Sequence, residues 1–285
     1  MNILCCVDDN YAYPLINFMF SIRKYCDREI NLYVLSTKLS DKIRDRIKEK
    51  CEEININVNI QVVDLDDKIF AARAHYTKDT FLRLFAYKFL PQEMDKLLYL
   101  DVDTLCLGDV GELYDIDINN YILAACRDKI WDLDRTIEHG KELGIEHDMF
   151  NAGIILFNMK KVRKLWDEKL VVDMIEKAGK KLLYLDQDLL NMLTKKEDIL
   201  FLDNKMNFQL RCFEKVKNLD GVVIMHYLED RKPWNHYILA YHEKLFWKNF
   251  KETGCKEFYE ISRRMRRQKL IRKFKNKFKR IFGKK

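Results

Sequence analysis

Apolar and polar positions along the chain follow two different periods, and each period indicates one kind of element. Short apolar runs are typical of buried strands, whereas apolar positions three and four residues apart are typical of helices. The predicted strands are Ile3–Val7, Ile30–Ser36, Val58–Leu65, Leu97–Leu100, Tyr121–Cys126, Ala152–Phe157 and Val222–Tyr227. The predicted helices are Tyr11–Tyr25, Ser40–Glu53, Lys78–Leu90, Lys160–Lys177 and Gln187–Leu193. Because strands and helices alternate, we expect an α/β fold with a mostly parallel sheet.

The organisation of the chain favours one main domain followed by a short tail. Its 285 residues suit one large domain, and a hydrophobic content of 48% suffices for a packed core. The chain has only three prolines and no Gly/Ser-rich linker, so no domain boundary is expected before about residue 250. We therefore predict a domain over residues 1–250 and a separate segment over residues 251–285.

The positive charge of the chain is concentrated in that last segment. Residues 261–285 hold thirteen Lys or Arg and no acid, so the net charge of +7 becomes −6 for residues 1–260. Apolar residues recur at helical spacing in the same stretch. They are Ile271, Phe274, Phe278, Ile281 and Phe282. This pattern predicts a basic amphipathic helix on an anionic membrane surface, with packing against the domain and nucleic-acid binding as alternatives.

Two carboxylates at the end of one predicted strand are the main candidates for chemistry. Asp101 and Asp103 follow the apolar run Leu97–Leu100, and the alternation of strand side chains makes them point the same way. The carboxyl ends of strands in α/β sheets are where ligands bind. The pair is therefore expected to hold a divalent cation and, through it, a diphosphate. A strand end with solvated acids is the alternative interpretation.

Other polar groups follow or open predicted elements. The segment Asp8–Tyr11 can bind a base or ribose, or can cap the following helix. Arg83 lies among apolar residues and needs a carboxylate or a ligand phosphate or hydroxyl as its partner. The small residues of Asn151–Gly153 permit close ligand approach, and Asp186–Asp188 can cap a helix or bind sugar hydroxyls. His226 has two interpretations. It is either a structural residue, or it lies beside two carboxylates and supplies a nitrogen ligand that suits Mn²⁺.

Several classes of protein are disfavoured by the motifs that the sequence lacks. There is no GxGxxG or GxxxxGK[ST] loop and no GxSxG elbow, which argues against dinucleotide-binding, P-loop and α/β-hydrolase interpretations. The eight cysteines form no CxxC pair and are expected to be reduced thiols of a cytosolic protein. Asp8 and Asp9 come too early for a secretory signal peptide, so none is expected.

Taken in chain order, these residues resemble glycosyltransferase family 8, and in particular the retaining α-galactosyl- and α-glucosyltransferases of bacterial lipopolysaccharide synthesis. The resemblance covers residues 1 to about 240. The matching positions are Cys6–Tyr11, His75, Thr80–Leu84, Leu98–Asp103, Asp128, Phe150–Gly153, Asp186–Asp188, Asn191, His226 and Lys232–Trp234. The resemblance implies a single GT-A domain, which is a Rossmann-like nucleotide-sugar transferase fold.

The resemblance also implies a role for each matching residue. Mn²⁺, with Mg²⁺ as the alternative, would be coordinated by Asp101, Asp103 and His226. UDP would be bound by Cys6, Asp8, Asn10, Tyr11, Asp101, Val102 and Lys232. The donor sugar would be bound by His75, Thr80, Arg83, Asp128, Asn151, Ala152, Asp186 and Gln187.

The implied reaction moves galactose or glucose from a UDP-sugar to a glycan or lipid-linked saccharide, with retention of the anomeric configuration. It would take place on the cytoplasmic face of the membrane, with no nucleic acid as a partner. Gln187, Asp188 and Asp128 are the candidate catalytic residues. Asp188 or Gln187 is the nearest candidate nucleophile by position. Because an amide is a poor nucleophile, we favour front-side attack, with the leaving phosphate as the base.

One position departs from the family pattern and leaves alternatives open. Glu229 replaces the glycine of the family motif His-x-x-Gly-x-x-Lys-Pro-Trp, and glycine there lets the backbone approach the diphosphate. A carboxylate would repel phosphate unless it points away or pairs with Arg231. A weakly active homologue that binds UDP-sugar is therefore one alternative. A nucleotidyltransferase and a membrane-surface interaction module are the other two.

Overall fold

The computed structural model describes residues 1–65, 81–129, 133–210, 216–228, 232–235 and 241–282. For residues 133–134, 269 and 272–282 it describes the backbone alone. Four residues of the predicted site fall outside the described residues. They are His75, Thr80, Glu229 and Arg231.

A central sheet of seven strands, counted among the described residues, organises the protein. Its strands are β1 (Asn2–Cys6), β2 (Asn31–Ser36), β3 (Asn57–Val62), β4 (Lys96–Leu100), β6 (Leu123–Arg127), β7 (Phe150–Asn158) and β8 (Ile199–Leu202). Their spatial order is β3-β2-β1-β4-β7-β6-β8. All neighbouring pairs are parallel except those of β7, which runs antiparallel to both β4 and β6. The expectation of a mostly parallel α/β sheet is confirmed.

Helices cover both faces of this sheet, because successive strand residues are apolar on both sides. In β1, Ile3 and Cys5 belong to one buried cluster and Leu4 to the other. The helices are α1 (Ala12–Arg23), α2 (Asp41–Glu53), α3 (Leu82–Phe89), α4 (Val110–Asp115), α5 (Leu133–Leu143), α6 (Met159–Leu165), α7 (Glu168–Ala178), α8 (Asp186–Leu193), α9 (Tyr241–Phe250) and α10 (Glu257–Phe282). Two-sided burial explains why the strands read as continuous apolar runs.

One predicted helix is two helices in the structure. The stretch Lys160–Lys177 is divided into α6 and α7 because Trp166 takes an extended conformation and is buried. Asp167 then caps the second helix, since its side chain accepts a hydrogen bond of 2.7 Å from the Leu170 amide. A side-chain oxygen at this position satisfies an amide that lacks an intrahelical partner and so starts a new helix.

A small second sheet lies beside the carboxyl end of β4. It consists of β5 (Thr104–Cys106), β10 (Ile224–His226) and β9 (Phe208–Gln209), in the order β5-β10-β9. Within it, His226 pairs antiparallel with Thr104, and the Tyr227 amide donates to the Asp103 carbonyl at 2.9 Å. This sheet therefore brings two segments more than 100 residues apart in the sequence to the same place.

The C-terminal helix α10 begins in the packed core and ends away from it. Its 26 residues span about 39 Å. Phe258 is fully buried among the aromatic rings of α9, and the Ser262 hydroxyl donates to the Trp234 carbonyl at 2.9 Å. Further along, Leu270 and Ile271 are 41% and 46% exposed. Among the described residues, no helix combines the length and the apolar character needed to cross a bilayer.

Candidate active site

Three metal-ligating side chains converge where β4 ends. Asp101 and Asp103 follow β4, and His226 is the last residue of β10. The His226 Nε2 atom lies 3.2 Å from Asp103 Oδ1 and 3.8 Å from Asp101 Oδ2, and one ligand atom from each residue lies within 4.8 Å of the others. We call these three residues the acidic corner. Their grouping matches the predicted metal ligands.

Local hydrogen bonds hold the two carboxylates in this arrangement. The Asp101 amide donates to the Gly153 carbonyl at 2.7 Å, which extends the pairing of β4 with β7. The Thr104 hydroxyl donates to the Asp101 carbonyl at 2.6 Å and closes the turn between β4 and β5. Val102, between the two acids, is buried. The two carboxylates therefore lie on the same side of the chain, as the strand pattern predicts.

Gly153 makes the close approach of these groups sterically feasible. A Cβ atom at this position would lie 2.2 Å from His226 Cε1 and 2.8 Å from Asp101 Oδ2. Only glycine lets the backbone of β7 pass this close to the imidazole of His226 and the carboxylate of Asp101. The sequence predicts that Gly153 lets a ligand come close. In the structure, Gly153 lets His226 and Asp101 lie close to the backbone of β7.

Lys232 adds a cation to the acidic corner. Its ammonium group forms an ion pair with Asp103 and donates to the Tyr227 carbonyl at 2.6 Å. Burial by itself would raise the pKa of the Asp103 carboxyl, but the charge of Lys232 is the largest influence in the opposite direction, and that pKa lies well below its usual range. Asp103 is therefore ionised across the physiological pH range.

A second group of residues lies next to the acidic corner, around the side chain of Arg83. Arg83 Nε is 2.5 Å from Asp186 Oδ2, and a terminal nitrogen is 3.2 Å from Asp101 Oδ1. The same guanidinium donates to the Ala152 carbonyl and lies over the Tyr99 ring, 4.3 Å from its centroid. We call Arg83, Asn151, Ala152, Asp186 and Gln187 the arginine shelf.

The environment of Asp186 differs from that of Asp103. Burial, opposed by Arg83 and reinforced by the charge of Asp101, raises the pKa of Asp186 to about 6. Asp186 opens α8 and is almost fully buried. Its carboxyl group is therefore close to the protonated state under mildly acidic conditions.

Side-chain amides connect the arginine shelf to its surroundings. Gln187 accepts hydrogen bonds from the Ala152 amide at 3.1 Å and from Asn151 Nδ2 at 3.2 Å, and it donates to Asp128 at 2.7 Å. Asn151 in turn contacts Asn207, which lies just before β9 and is fully buried. Asn207 was absent from the predicted site. A single asparagine between short elements leaves no periodic signal in the sequence.

Asp188 lies outside this contact network, although it was predicted as a catalytic candidate. It is fully buried, and its Oδ2 atom accepts from the amides of Leu183 and Tyr184 at 2.8 and 2.9 Å. The same oxygen lies 3.0 Å from His139 Nε2. These contacts give Asp188 the role of fixing the loop before α8. These contacts all involve Oδ2, and Oδ1 is buried.

At the other end of the site, the segment after β1 forms a turn into α1. Asp8 Oδ1 accepts hydrogen bonds from the amides of Asn10 and Tyr11 at 2.9 and 3.1 Å. The Tyr11 ring meets Trp234 edge-on, with centroids 5.9 Å apart. Asp8 thus stabilises the turn that leads into α1. The alternative prediction of an Asp or Asn cap on this helix is wrong, because Tyr11 is the N-cap residue and no side chain makes a capping hydrogen bond there. Asn10 is exposed. Cys6 ends β1 beside this turn.

Comparisons with known proteins identify the family of the chain. The model of Glycosyl transferase family 8 matches residues 2–237. A Haemophilus influenzae protein, named only as a glycosyltransferase, is 34% identical over 248 residues, which are 82% of this chain and 73% of that protein. The Escherichia coli lipopolysaccharide 1,2-glucosyltransferase is 25% identical over 209 residues, 66% of this chain and 61% of that enzyme. The chain spans 60% and 41% of two Streptococcus pneumoniae glycosyltransferases that it also matches.

A solved structure gives the corresponding result for the fold. The galactosyltransferase LgtC, crystallised with donor and acceptor sugar analogs, superposes with a TM-score of 0.76 and 25% identity. The superposition covers 88% of this chain and 96% of LgtC. The expected GT-A fold is therefore confirmed. The family match and the identity to the H. influenzae protein together establish that the chain belongs to glycosyl transferase family 8.

Proposed function

We propose that this chain is a retaining, metal-dependent hexosyltransferase that moves galactose or glucose from a UDP-sugar to a glycan or lipid-linked saccharide. The proposal is supported by the relatives, which include a lipopolysaccharide glucosyltransferase and a galactosyltransferase. The observation that carries it is the contact of the acidic corner with the arginine shelf through Asp101. One oxygen of that carboxylate lies near His226 and the other near Arg83. A metal-bound diphosphate and a sugar would therefore be neighbours.

The acidic corner fits a divalent cation. Asp103 Oδ1 is buried, and the three side chains offer two carboxylate oxygens and one imidazole nitrogen within 4.8 Å of one another. Carboxylates accept Mg²⁺ or Mn²⁺, and an added imidazole favours Mn²⁺. When bound, such an ion would act as a Lewis acid toward the diphosphate leaving group. Asp101, Asp103 and His226 would hold it.

Lys232 is suited to assist at the diphosphate. Its ammonium group is held beside Asp103 by the ion pair and by the Tyr227 carbonyl. A lysine is a compact cation with rotatable donors, so it can exchange a carboxylate partner for a phosphate oxygen. We infer that Lys232 contacts the phosphates, while Cys6, Asp8, Asn10 and Tyr11 form the end of the site that receives the nucleoside.

The arginine shelf supplies acceptors and donors of the kind that bind sugar hydroxyls. Asp186 and Asp101 are held in place by Arg83, and Gln187 is held by two donors and by Asp128. Groups that are already fixed lose little conformational entropy when a ligand binds. We infer that the shelf orients the donor hexose, with Asp128 supporting Gln187.

The contacts of Asp188 bear on how the configuration would be retained. A covalent intermediate needs a nucleophile that reaches the anomeric carbon, and Asp188 is buried, with its Oδ2 atom held by two backbone amides beside His139. Gln187 belongs to the arginine shelf, but its amide is a weak nucleophile. We therefore favour front-side attack, in which the leaving phosphate accepts the acceptor's proton.

Measuring product release separates this function from its alternatives. The purified chain is incubated with UDP-galactose or UDP-glucose and Mn²⁺, with and without saccharide acceptors. Release of UDP supports the proposal. Release of pyrophosphate from a nucleoside triphosphate and a sugar phosphate would instead support a nucleotidyltransferase. Absence of both, with UDP-sugar binding retained, would support a binding homologue.

We also propose that the distal part of α10 binds an anionic membrane surface. Support comes from the exposed Leu270 and Ile271 on a helix that carries many basic residues, because such helices are attracted to anionic lipids. A deletion of residues 269–285 tests this, since it keeps the packed Ser262 and Arg266. We expect the full chain, but not the truncated one, to sediment with anionic vesicles, and salt to weaken binding. Equal sedimentation at low salt would contradict the proposal.

A further inference from the structure

We propose that Asn207 is a positioning residue that fixes which ring nitrogen of His226 carries the proton and couples the acidic corner to the arginine shelf. Asn207 is fully buried. Its Oδ1 atom lies 3.1 Å from His226 Nδ1, and its Nδ2 atom donates to Asn151 Oδ1 at 2.8 Å. One side chain thus contacts a candidate metal ligand and a residue of the shelf. The inference rests on the proposed metal site.

Backbone amides determine the direction of every hydrogen bond in this chain of contacts. The Gly153 amide donates to Asn151 Oδ1 at 3.1 Å, and a backbone N–H cannot act as an acceptor. Asn151 must therefore present its oxygen to Asn207. Asn207 must then approach with its NH₂ group and turn its own oxygen toward His226.

The other end of the contact chain gives the same direction independently. The Ala152 amide donates to Gln187 Oε1 at 3.1 Å, so this atom is an acceptor. Asn151 Nδ2 donates to the same oxygen at 3.2 Å. This contact requires the NH₂ group of Asn151 to face Gln187 and its oxygen to face Asn207. Two backbone donors in β7 therefore fix the orientation of both asparagines.

The consequence for His226 is a defined protonation pattern. Because Asn207 offers an oxygen, Nδ1 must carry a proton, and the hydrogen bond of one ring nitrogen decides the role of the other. In the neutral ring, Nε2 then has a lone pair that faces the oxygens of Asp101 and Asp103. Nε2 of His226 and the carboxylate oxygens of Asp101 and Asp103 are then three acceptors around one point, and this arrangement favours the binding of a cation there. By accepting the hydrogen bond of Nδ1, Asn207 orients the imidazole so that Nε2 can bind a metal. The outer hydrogen-bond partners of metal-ligating histidines have the same effect.

Nitrogen NMR of the histidine ring tests the proton's position directly. In protein labelled with ¹⁵N-histidine, Nδ1 of His226 should remain protonated in both the metal-free and the Mg²⁺-loaded protein. The signal is assigned by its loss in His226→Gln. In Asn207→Leu, the ring should no longer be restricted to this form. An unprotonated Nδ1 in the unmodified protein would overturn the proposal, and this measurement needs no activity.

Mn²⁺ titration tests the consequence for the metal site. Asn207→Leu should weaken Mn²⁺ binding by about 10–100-fold, the usual loss when the outer partner of a ligand is removed. Asn249→Leu is the matched control, because Asn249 is also buried and donates to the carbonyl and side-chain oxygens of Asn17. We expect the control to lose stability without losing Mn²⁺ affinity. Equal affinity of Asn207→Leu and the unmodified protein would overturn the proposal.

A conservative variant separates the two contacts of Asn207. Asn207→Asp keeps an oxygen for His226 Nδ1 but replaces the donor to Asn151 with a second acceptor. We expect Mn²⁺ affinity to recover relative to Asn207→Leu, while the KM for the UDP-sugar rises. An Asp variant that binds Mn²⁺ as weakly as the Leu variant would contradict the role of the oxygen. If the unmodified protein binds no Mn²⁺, the proposed metal site fails, and the ring protonation alone decides the role of Asn207.

Discussion

Asp101 of the acidic corner contacts Arg83 of the arginine shelf, yet the two groups differ in how their donors and acceptors are matched. In the shelf, each carboxylate oxygen near Arg83 is matched by a guanidinium nitrogen, and Gln187 is matched by amide donors. In the corner, Asp101, Asp103 and His226 direct acceptor atoms toward one another. The shelf has donors and acceptors in balance. The corner has an excess of acceptors, which Lys232 offsets only at Asp103.

This difference is visible in the two buried acids. The charge of Lys232 opposes burial at Asp103, whose pKa stays low, whereas burial outweighs Arg83 and raises the pKa of Asp186 to about 6. A carboxylate kept ionised is suited to bind a cation, and one that is easily neutralised is suited to hydrogen-bond hydroxyl groups. Asp103 and Asp186 are therefore suited to different chemical roles.

The largest expected effect comes from breaking the corner alone. Asp103→Asn and His226→Ala should each lower the transfer rate by at least ~10²-fold, because each removes a group that would help stabilise leaving-group charge. Both should also weaken Mn²⁺ binding in calorimetric titrations. The comparison is with Asn249→Leu, which lies outside the site. Activity within about twofold of the unmodified protein, with and without Mn²⁺, would show that the metal assignment is wrong.

Much of the frame of this site could be predicted from local sequence patterns. The apolar run before Asp101 identified β4, and the i, i+2 spacing placed Asp101 and Asp103 on one side. These predictions succeed because strand alternation and two-sided burial act over a few neighbouring residues. The same logic failed at Trp166, where one buried side chain and the following N-cap divide a helix that periodicity alone continues.

The remaining features depend on contacts between distant segments. The approach of Gly153 to His226 joins residues far apart in the sequence, and no local pattern encodes it. Asn207 is a single buried amide whose role appears only when β9 and β10 are paired. Asp188 shares the helix start with Asp186 and Gln187, but helix geometry turns it toward the Leu183 and Tyr184 amides. At Gly153, Asn207 and Asp188, the sequence therefore supplies the residue type but does not encode what the residue contacts.

A smaller effect is expected from a substitution in β7 that displaces the acidic corner but leaves Asp101, Asp103 and His226 unchanged. Gly153→Ala would place a methyl group 2.2 Å from His226 Cε1, so the imidazole or β7 must move. We expect Mn²⁺ affinity to fall by about 10–100-fold, as when a ligand loses its orientation. Gly140→Ala is the matched control, because a Cβ there would meet its nearest neighbour at 3.8 Å. Comparable Mn²⁺ affinity of the two variants would contradict the steric argument.

The smallest expected effect concerns the shelf and is a dependence of stability on pH. Burial raises the pKa of Asp186 to about 6 in the folded state, above the ordinary value of 3.8. A group whose pKa is raised by folding contributes stability below its unfolded pKa, and this contribution is lost as the pH rises through the folded pKa. Relative to Asp186→Asn, the unmodified protein should therefore lose free energy of unfolding between about pH 4 and pH 6. The slope is at most about 1.4 kcal/mol per pH unit for one proton. Urea denaturation of both proteins across this range measures the difference, and any pH-independent cost of the substitution cancels from the slope. A difference that is independent of pH would show that Asp186 stays ionised and that the shelf, like the corner, is built around charged carboxylates.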